Sequence, residues 1–520
     1  VKIRTVLEGI GTALLMVPFL PYIAPDHLLL YHHGLPVTNL IGGALVDLIG
    51  VAILTSGFLF AIQYLPRAAE RILSALFAGF MLWRIADLAV QLLSNVEGQL
   101  FWQGHLRKQS CIAILLLSGM LAYVLPRIAQ SAARAVRLGI AALAFSVLWI
   151  VPELLHVALV RPFAESTTAL NLPAPAISGS GRRIVWILFD ELSYDQTFDH
   201  QATGMKLPNF GRLRTESVSF SDLRPTGFYT ERIIPSLFLG RHIEQIRSTV
   251  AGDLWYKEKD QGSWLAYDPN ATLFALAKRN GWSTGVDGWF NPYCHILTAT
   301  LNTCSWEPNL DLPIESRGGS EVNSVLANAA VLPNIWLAKL TNRSAATQGA
   351  MPEDAHIQEY RNVMTRTHAL IENNQIHFIF LHIPVPHPPG IYDRQRHMLR
   401  PGGTYLDNLV LADDTLGTLL QEINATPSAN RTTVIVSSDH SWRIPLWRPT
   451  PGWSAEEERA SGGRFDDRPV LLIHFQGQKS GNNVSAPLPE LLEHDIIAAM
   501  LRGQINNPEA LTAFLSQHRH

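Results

Sequence analysis

The chain has 520 residues, too many for one ordinary hydrophobic core, so at least two domains are expected. Its 41 Lys+Arg nearly balance 44 Asp+Glu, for a net charge of -3, which excludes a strongly basic surface for nucleic acid. Only 16% of residues are charged and mean hydropathy is positive, against roughly 25% charged in soluble proteins, so part of the chain is expected in lipid.

Hydrophobicity is segregated along the sequence. Five apolar segments near 6–24, 38–64, 70–94, 109–126 and 134–159 approach the ~20 residues that a spanning helix needs. They predict a five-helix membrane domain over 1–160. If the N-terminus is cytoplasmic, the cytoplasmic flanks hold Lys2, Arg4, Arg67, Arg71, Arg127, Arg134 and Arg137. The opposite flanks hold only Arg107, Lys108 and Arg161. That asymmetry puts everything after residue 160 outside the cytoplasmic membrane, and cleavage of the first segment as a signal peptide would not change the side. Asp47, Arg84 and Asp87 fall inside the predicted spans. Arg84 and Asp87, at i,i+3, are expected to pair and pin helix packing, or else to border a groove for a lipid head group. Cys111 reads as a passive residue of an apolar run.

Residues 161–182 are rich in Ala, Pro, Ser and Gly without helical periodicity, which reads as a linker. A second domain is predicted over 183–520. It opens with the apolar run Ile184–Phe189, expected to be a buried strand of a doubly wound, mostly parallel α/β sheet. Asp190 and Glu191 follow directly, at the strand end where such sheets bind ligands. A second buried-strand candidate, 432–438, ends in Asp439-His440, one oxygen and one nitrogen donor for a metal ion. A helix cap is the bland reading of Asp439. Cys294 and Cys304, ten apart in a loop-like stretch, are close enough to pair in an oxidising compartment.

Between the two acidic strand ends lies Thr230-Glu-Arg-Ile-Ile-Pro-Ser-Leu-Phe-Leu-Gly240. This segment resembles the nucleophile region of the alkaline-phosphatase and sulfatase superfamily. Sulfatases carry a modified cysteine ten residues before a glycine, and the superfamily's phosphotransferases carry a threonine there. Leu207–Leu213, Ala271–Gly285 and Tyr405–Leu420 are similar to the superfamily's supporting helices and strands. Leu381-His-Ile-Pro-Val-Pro-His-Pro-Pro389 is similar to its histidine loop. The resemblance spans about 182–476. It implies Thr230 as nucleophile and Asp190, Thr230, Asp439 and His440 as ligands of one divalent ion (Zn, Mn, Mg or Ca), with Glu191 as a further candidate. It also implies His387 as the group that contacts the transferred moiety or protonates the leaving group, with His382 and Arg232 as substrate contacts. The bland alternatives are a core histidine for His382, a surface salt bridge for Arg232 and a helix N-cap for Thr230. A second cation would draw on Asp413 or Asp414 and His474, but a helical stretch of this kind ordinarily uses its aspartates for capping or solvation.

Chemistry supports the same residues, since a Thr hydroxyl is a poor nucleophile until metal coordination or a base activates it. Three departures bear on the reaction. Ser441 replaces the glycine after Asp-His, Ile234 replaces an arginine of sulfatases, and no Cys or Ser is available for a formylglycine. Sulfate-ester hydrolysis is therefore disfavoured. Five membrane segments before such a domain resemble the phosphoethanolamine and phosphoglycerol transferases of bacterial envelopes. Those enzymes imply a phospholipid donor, an envelope glycan or lipid acceptor and a phospho-threonine intermediate. The alternatives are a phosphodiesterase or phosphatase of the same superfamily, and a catalytically silent relative that binds envelope lipids.

Overall fold

In the computed structural model the described residues are 3–17, 19–23, 37–93, 106–160, 181–308, 346–450 and 452–517, with isolated positions 26, 102, 325 and 329. The linker expected at 161–182 lies almost wholly outside them. The chain divides into two compact units, one holding the described residues up to 160 and the other holding 181–308 and 346–517.

The first unit is helical: Ile3–Met16, Val37–Ala61, Arg67–Leu93, Arg107–Val124, Pro126–Leu143 and Val147–Val160. Among the described residues, three stretches are long and apolar enough to cross a membrane, Ile41–Tyr64, Arg67–Val90 and Pro126–Val160, where five were expected. The described part of the first expected span is the helix Ile3–Met16, of 14 residues. Arg107–Val124 opens on Arg-Lys-Gln-Ser, and that polar turn leaves its 18 residues short of the apolarity required. The last stretch starts at Pro126, eight residues before the expected 134, because proline is favoured in a first helical turn.

Buried charges here are paired. Arg84 Nη1 donates to Asp87 at 2.5 Å, and Asp87 also accepts from Arg107 at 3.0 Å and from the Trp102 indole at 2.9 Å. Glu8, which the sequence reading passed over, is fully buried and held by Arg4 at 2.9 Å and Arg137 at 2.6 Å. Unpaired carboxylates in such surroundings would cost several kcal/mol.

The second unit is built on an eight-stranded sheet. Its strands in chain order are β1 (Arg183–Phe189), β2 (Val218–Phe220), β3 (Thr284–Trp289), β4 (Thr303–Glu307), β5 (Phe378–Ile383), β6 (Thr432–Ser437), β7 (Leu471–His474) and β8 (Asn482–Val484). Their spatial order is β8-β2-β7-β6-β1-β5-β3-β4. Only β7 runs antiparallel to its neighbours. β1 is central and buried along its length, which is why its sequence reads as an unbroken apolar run.

Alternate residues of β1 feed two cores. Ile184, Trp186 and Leu188 pack with the helices Thr230–Leu239, Leu273–Arg279 and Leu492–Leu501. Val185, Ile187 and Phe189 pack with Pro208–Thr215, Ala346–Glu372 and Tyr405–Ala425. A strand has period two, so one seven-residue segment anchors helices on both faces. The parallel register sets Leu188 beside Ser437 on one side and His382 on the other. The chain leaves all three strands at one end of the sheet.

Candidate metal centre and nucleophile

β1 delivers Asp190 one residue past its end, and β6 delivers Asp439 and His440 two and three residues past its end. The helix Thr230–Leu239 presents Thr230 at its first turn and closes on Gly240 in the left-handed conformation (φ 66°), which glycine adopts without strain. These elements bring the four residues together. Thr230 Oγ1 lies 3.2 Å from His440 Nε2 and 3.5 Å from Asp190 Oδ2. His440 Nε2 lies 3.1 Å from Asp439 Oδ2 and 3.8 Å from Asp190 Oδ1. All four side chains are buried.

The donor set fits a cation. His440 Nδ1 faces the carbonyl oxygen of Ser441 at 3.0 Å, so Nδ1 carries the ring proton and donates it there. The Nε2 lone pair is left facing the two aspartates. Asp439 Oδ1 accepts from the Glu191 N–H at 3.1 Å, while Asp439 Oδ2 and Asp190 Oδ1 are buried without a hydrogen-bond partner. Two orphaned carboxylate oxygens and an imidazole lone pair converging in a dry site require a positive charge. Asp190, Asp439 and His440 also form one of two acid and histidine groups, among the described residues, with ligand atoms within 4.8 Å of one another.

Titration follows the same electrostatics. Burial pushes Asp190 up, but the imidazoles of His387, His382 and His440 outweigh it and hold the acid well below the usual carboxylate range. For Asp439, burial and Asp190 push up, and His440 with His382 prevails, giving a lowered value. Burial and Arg443 oppose a proton on His440, yet Asp439 and Asp190 raise its basicity.

His382 is fully buried behind Asp190. Its Nε2 lies 3.1 Å from Asp190 Oδ2, and its Nδ1 lies 2.8 Å from the Trp289 carbonyl oxygen, to which it donates, and 2.7 Å from the Tyr293 hydroxyl. It steadies the aspartate from inside the core and offers substrate no open face. Arg232 lies over the Tyr229 ring at 4.9 Å, with its Nε buried and unpartnered. Asp413 accepts from the Phe210 N–H at 2.8 Å and the Asn209 N–H at 3.2 Å, which anchors the helix Pro208–Thr215. Asp414 accepts from the Tyr392 hydroxyl and His474 binds the Glu216 carbonyl. None of these three joins the site. Cys294 and Cys304 form a disulfide between β4 and the short helix Tyr293–Ile296.

Glu191 has φ 66°, a left-handed conformation uncommon for a glutamate and frequent where local structure is over-determined. That turn sends its carboxylate away from Asp439 and into a second cluster. Its Oε1 accepts from the Arg443 N–H at 2.6 Å and the Trp447 indole at 2.7 Å, and its Oε2 accepts from Arg443 Nη2 at 3.1 Å. Arg443 also reaches His387 Nε2 at 2.9 Å. Sequence reading missed Arg443 and Trp447. The available signal was an arginine three residues after Asp-His, in a segment too irregular to place. Asn408 holds the His387 loop by donating to the carbonyls of His387 and Pro389, each at 3.0 Å. Burial and Arg443 lower the basicity of His387 against the pull of Asp190 and Glu191.

The sulfatase family model matches residues 182–486, more than half of the chain. The chain belongs to the sulfatase family. Members of that family use metal ions, and the buried acids and imidazole described above are where this chain could hold one. Among solved structures it is similar to the lipoteichoic acid synthase LtaP from Listeria monocytogenes, at 12% identity and TM-score 0.37, over 64% of this chain and 74% of that one. It is also similar to the phosphonate monoester hydrolase of Agrobacterium radiobacter, at 14% identity and TM-score 0.37, over 62% and 74%. A third is an alkaline phosphatase superfamily protein from Vibrio parahaemolyticus, at 15% identity and TM-score 0.36, over 66% and 74%. No curated protein matches the sequence.

Proposed function

We propose that this sulfatase-family protein is a membrane-anchored transferase that moves a phospholipid head group, phosphoethanolamine or phosphoglycerol, onto an envelope glycan or lipid. The observation that carries this reading is the hydroxyl of Thr230, standing at a helix N-terminus within 3.5 Å of both His440 and Asp190, where sulfatases need a convertible cysteine or serine. Thr230 Oγ attacks the phosphorus of the donor, the bond from phosphorus to the glyceride oxygen breaks, and diacylglycerol departs with a proton. An acceptor hydroxyl then attacks the phospho-threonine and its proton ends on Thr230 Oγ, restoring the enzyme.

Asp190, Asp439, His440 and Thr230 would hold one divalent ion, which when bound supplies positive charge to the threonine oxygen and the phosphoryl group. An imidazole among carboxylates suits zinc or manganese better than calcium. The positive end of the helix dipole at Thr230 favours a phosphoryl oxygen. His382 fixes the orientation of Asp190, and His387 provides a polar contact beyond it.

Anchoring makes sense for a lipid donor, because it confines enzyme and substrate to one surface. The proposed arrangement has the N-terminus in the cytoplasm, several passes through the cytoplasmic membrane and the α/β domain outside, over 183–520. A disulfide is consistent with that compartment. The test is the intact mass of the full chain after incubation with phosphatidylethanolamine or phosphatidylglycerol vesicles. A phosphoethanolamine or phosphoglycerol adduct that maps to Thr230 and is absent from Thr230→Ala is expected. An adduct discharged by water at the same rate with and without acceptor would instead make the protein a phosphodiesterase. Absence of any adduct, with metal bound, would leave lipid binding without catalysis.

A further inference from the structure

At one edge of the helical unit, positive charge outruns the acid that balances it. Asp87 lies three residues before the end of the candidate span Arg67–Val90, about 4.5 Å along a helix. That is the depth at which hydrocarbon gives way to lipid head groups. Its carboxylate is shared by two guanidinium groups. Arg84 Nη1 donates to Oδ2, and Arg107 approaches with Nε 2.9 Å from Oδ1 and Nη2 3.0 Å from Oδ2. Lys108, the next residue, is exposed. Among the described residues, these three cations have one carboxylate between them.

The two arginines are held in place and still have donors to give. Arg84 donates Nε to the Leu15 carbonyl at 2.9 Å, and its side chain is 11% exposed. Arg107 lies over the Trp83 ring at 6.0 Å, and its side chain is 31% exposed. Arg84 Nη2 and Arg107 Nη1 have no acceptor among the described residues. Trp83 donates to Ser110 at 3.2 Å and Trp102 to Asp87 at 2.9 Å. Two indoles around one cluster suit the head-group level, where tryptophan is enriched. Pairing Asp87 needs only Arg84, its neighbour at i,i+3. The second arginine comes from another helix and leaves charge unbalanced beside hydrocarbon, which is costly without a counter-anion.

We propose that Arg84, Arg107 and Lys108, ordered by Asp87, bind the phosphate of an anionic phospholipid such as phosphatidylglycerol. The free guanidinium donors match phosphate oxygens, and the surplus charge favours an anionic head over zwitterionic phosphatidylethanolamine. Of the two roles expected for Arg84 and Asp87, their pairing fixes the arginine, and Arg107 turns the pair into a head-group site. None of these residues belongs to the candidate metal centre, so the inference stands whether or not the α/β unit transfers head groups.

The test titrates the full chain in neutral detergent with phosphatidylglycerol, phosphatidylethanolamine or inorganic phosphate, and counts bound lipid by native mass spectrometry. Arg107→Gln removes the surplus guanidinium and leaves Arg84 and Asp87 balanced. Its affinity for the first phosphatidylglycerol should fall about tenfold or more, with the melting midpoint in lipid-free detergent unchanged. Lys108→Gln alters an exposed side chain and should lower the affinity about fivefold. Wild type should prefer phosphatidylglycerol to phosphatidylethanolamine and keep it against excess inorganic phosphate. Unchanged affinity in both variants, or in Lys108→Gln alone where Arg107→Gln does not fold, overturns the proposal. So does equal binding of the two lipids, or displacement of phosphatidylglycerol by phosphate, which would leave an anion site without a lipid. A lower melting midpoint in Arg107→Gln with lipid binding intact would make the cluster a packing device alone.

Discussion

The two oxygens of Asp439 are divided: Oδ1 accepts the backbone N–H of Glu191 at 3.1 Å, while Oδ2 points into the site with no hydrogen-bond partner. One carboxylate thus ties the end of β6 to the turn after β1 and still offers an oxygen to a cation. Asp439→Asn should keep the first contact through its amide oxygen and lose the second, since an amide NH2 cannot ligate a metal ion. We expect a folded protein whose metal affinity falls at least about 100-fold, beyond the range seen when only an outer partner is lost. Metal content after dialysis, with circular dichroism as the control, checks this. Wild-type metal content in the variant would remove Asp439 from the ligand set.

Buried acids away from the cation site give a pH prediction. Glu493 lies fully buried beside Ser437 and Trp186, and burial raises its carboxyl to about 8. Below the unfolded value, near 4.5, the group is protonated in both states and its contribution is constant. Between there and about 8 the unfolded chain loses the proton and the folded chain keeps it. Stability therefore falls as pH rises, by about 1.4 kcal/mol per pH unit while the difference lasts. Glu493→Gln should remove that slope and melt higher than wild type at pH 8 to 9, with little difference at pH 4. Parallel melting curves across this range would mean that Glu493 is ionised in the fold.

The disulfide closes a loop with a sequence separation of 10. Loop-closure entropy for that length corresponds to roughly 2–3 kcal/mol. Cys294→Ser with Cys304→Ser should lower the unfolding midpoint of the catalytic unit without changing metal content, because neither cysteine touches the ligands. A fall in metal content would show instead that the loop supports Tyr293, the neighbour of Cys294 that bonds His382.

Much of this candidate site was legible in the sequence because its candidate ligands sit at the ends of buried strands. A fully buried strand declares itself as an apolar run, and the polar residue that ends it is conspicuous: Asp190 after Ile184–Phe189, and Asp439-His440 after β6. Thr230 needed the family resemblance, since a threonine before two isoleucines is also an ordinary helix start. The contacts of Glu191 with Arg443 and Trp447 were not legible. They join residues about 250 apart through a left-handed turn and an irregular segment, and neither has a periodicity to read. Of the five expected spans, three meet the length and apolarity of a crossing helix among the described residues. A window of apolar residues records composition, and the polar turn that opens Arg107–Val124 lowers the apolarity of that helix.

Gly288 lies in β3 directly against the residues that steady Asp190. A Cβ at this position would meet the Tyr293 ring at 2.5 Å and 3.0 Å and His382 Cβ at 3.1 Å. The Tyr293 ring is fully buried, so it has no free end to swing aside. Its hydroxyl lies 2.7 Å from His382 Nδ1, and His382 Nε2 lies 3.1 Å from Asp190 Oδ2. A single methyl group on β3 is therefore passed through two polar contacts to a candidate metal ligand. Gly288→Ala should cost about 1–3 kcal/mol of stability from overpacking and lower metal affinity by about 10–100-fold, as disturbance of a ligand's outer partner does. Tyr293→Phe separates the two effects, because it deletes the hydroxyl while leaving the ring volume in place. If the chain of contacts carries the effect, Tyr293→Phe weakens metal binding with little loss of stability. Metal titration of both variants beside their melting curves decides it: unchanged affinity in both would show that Asp190 holds its position without His382.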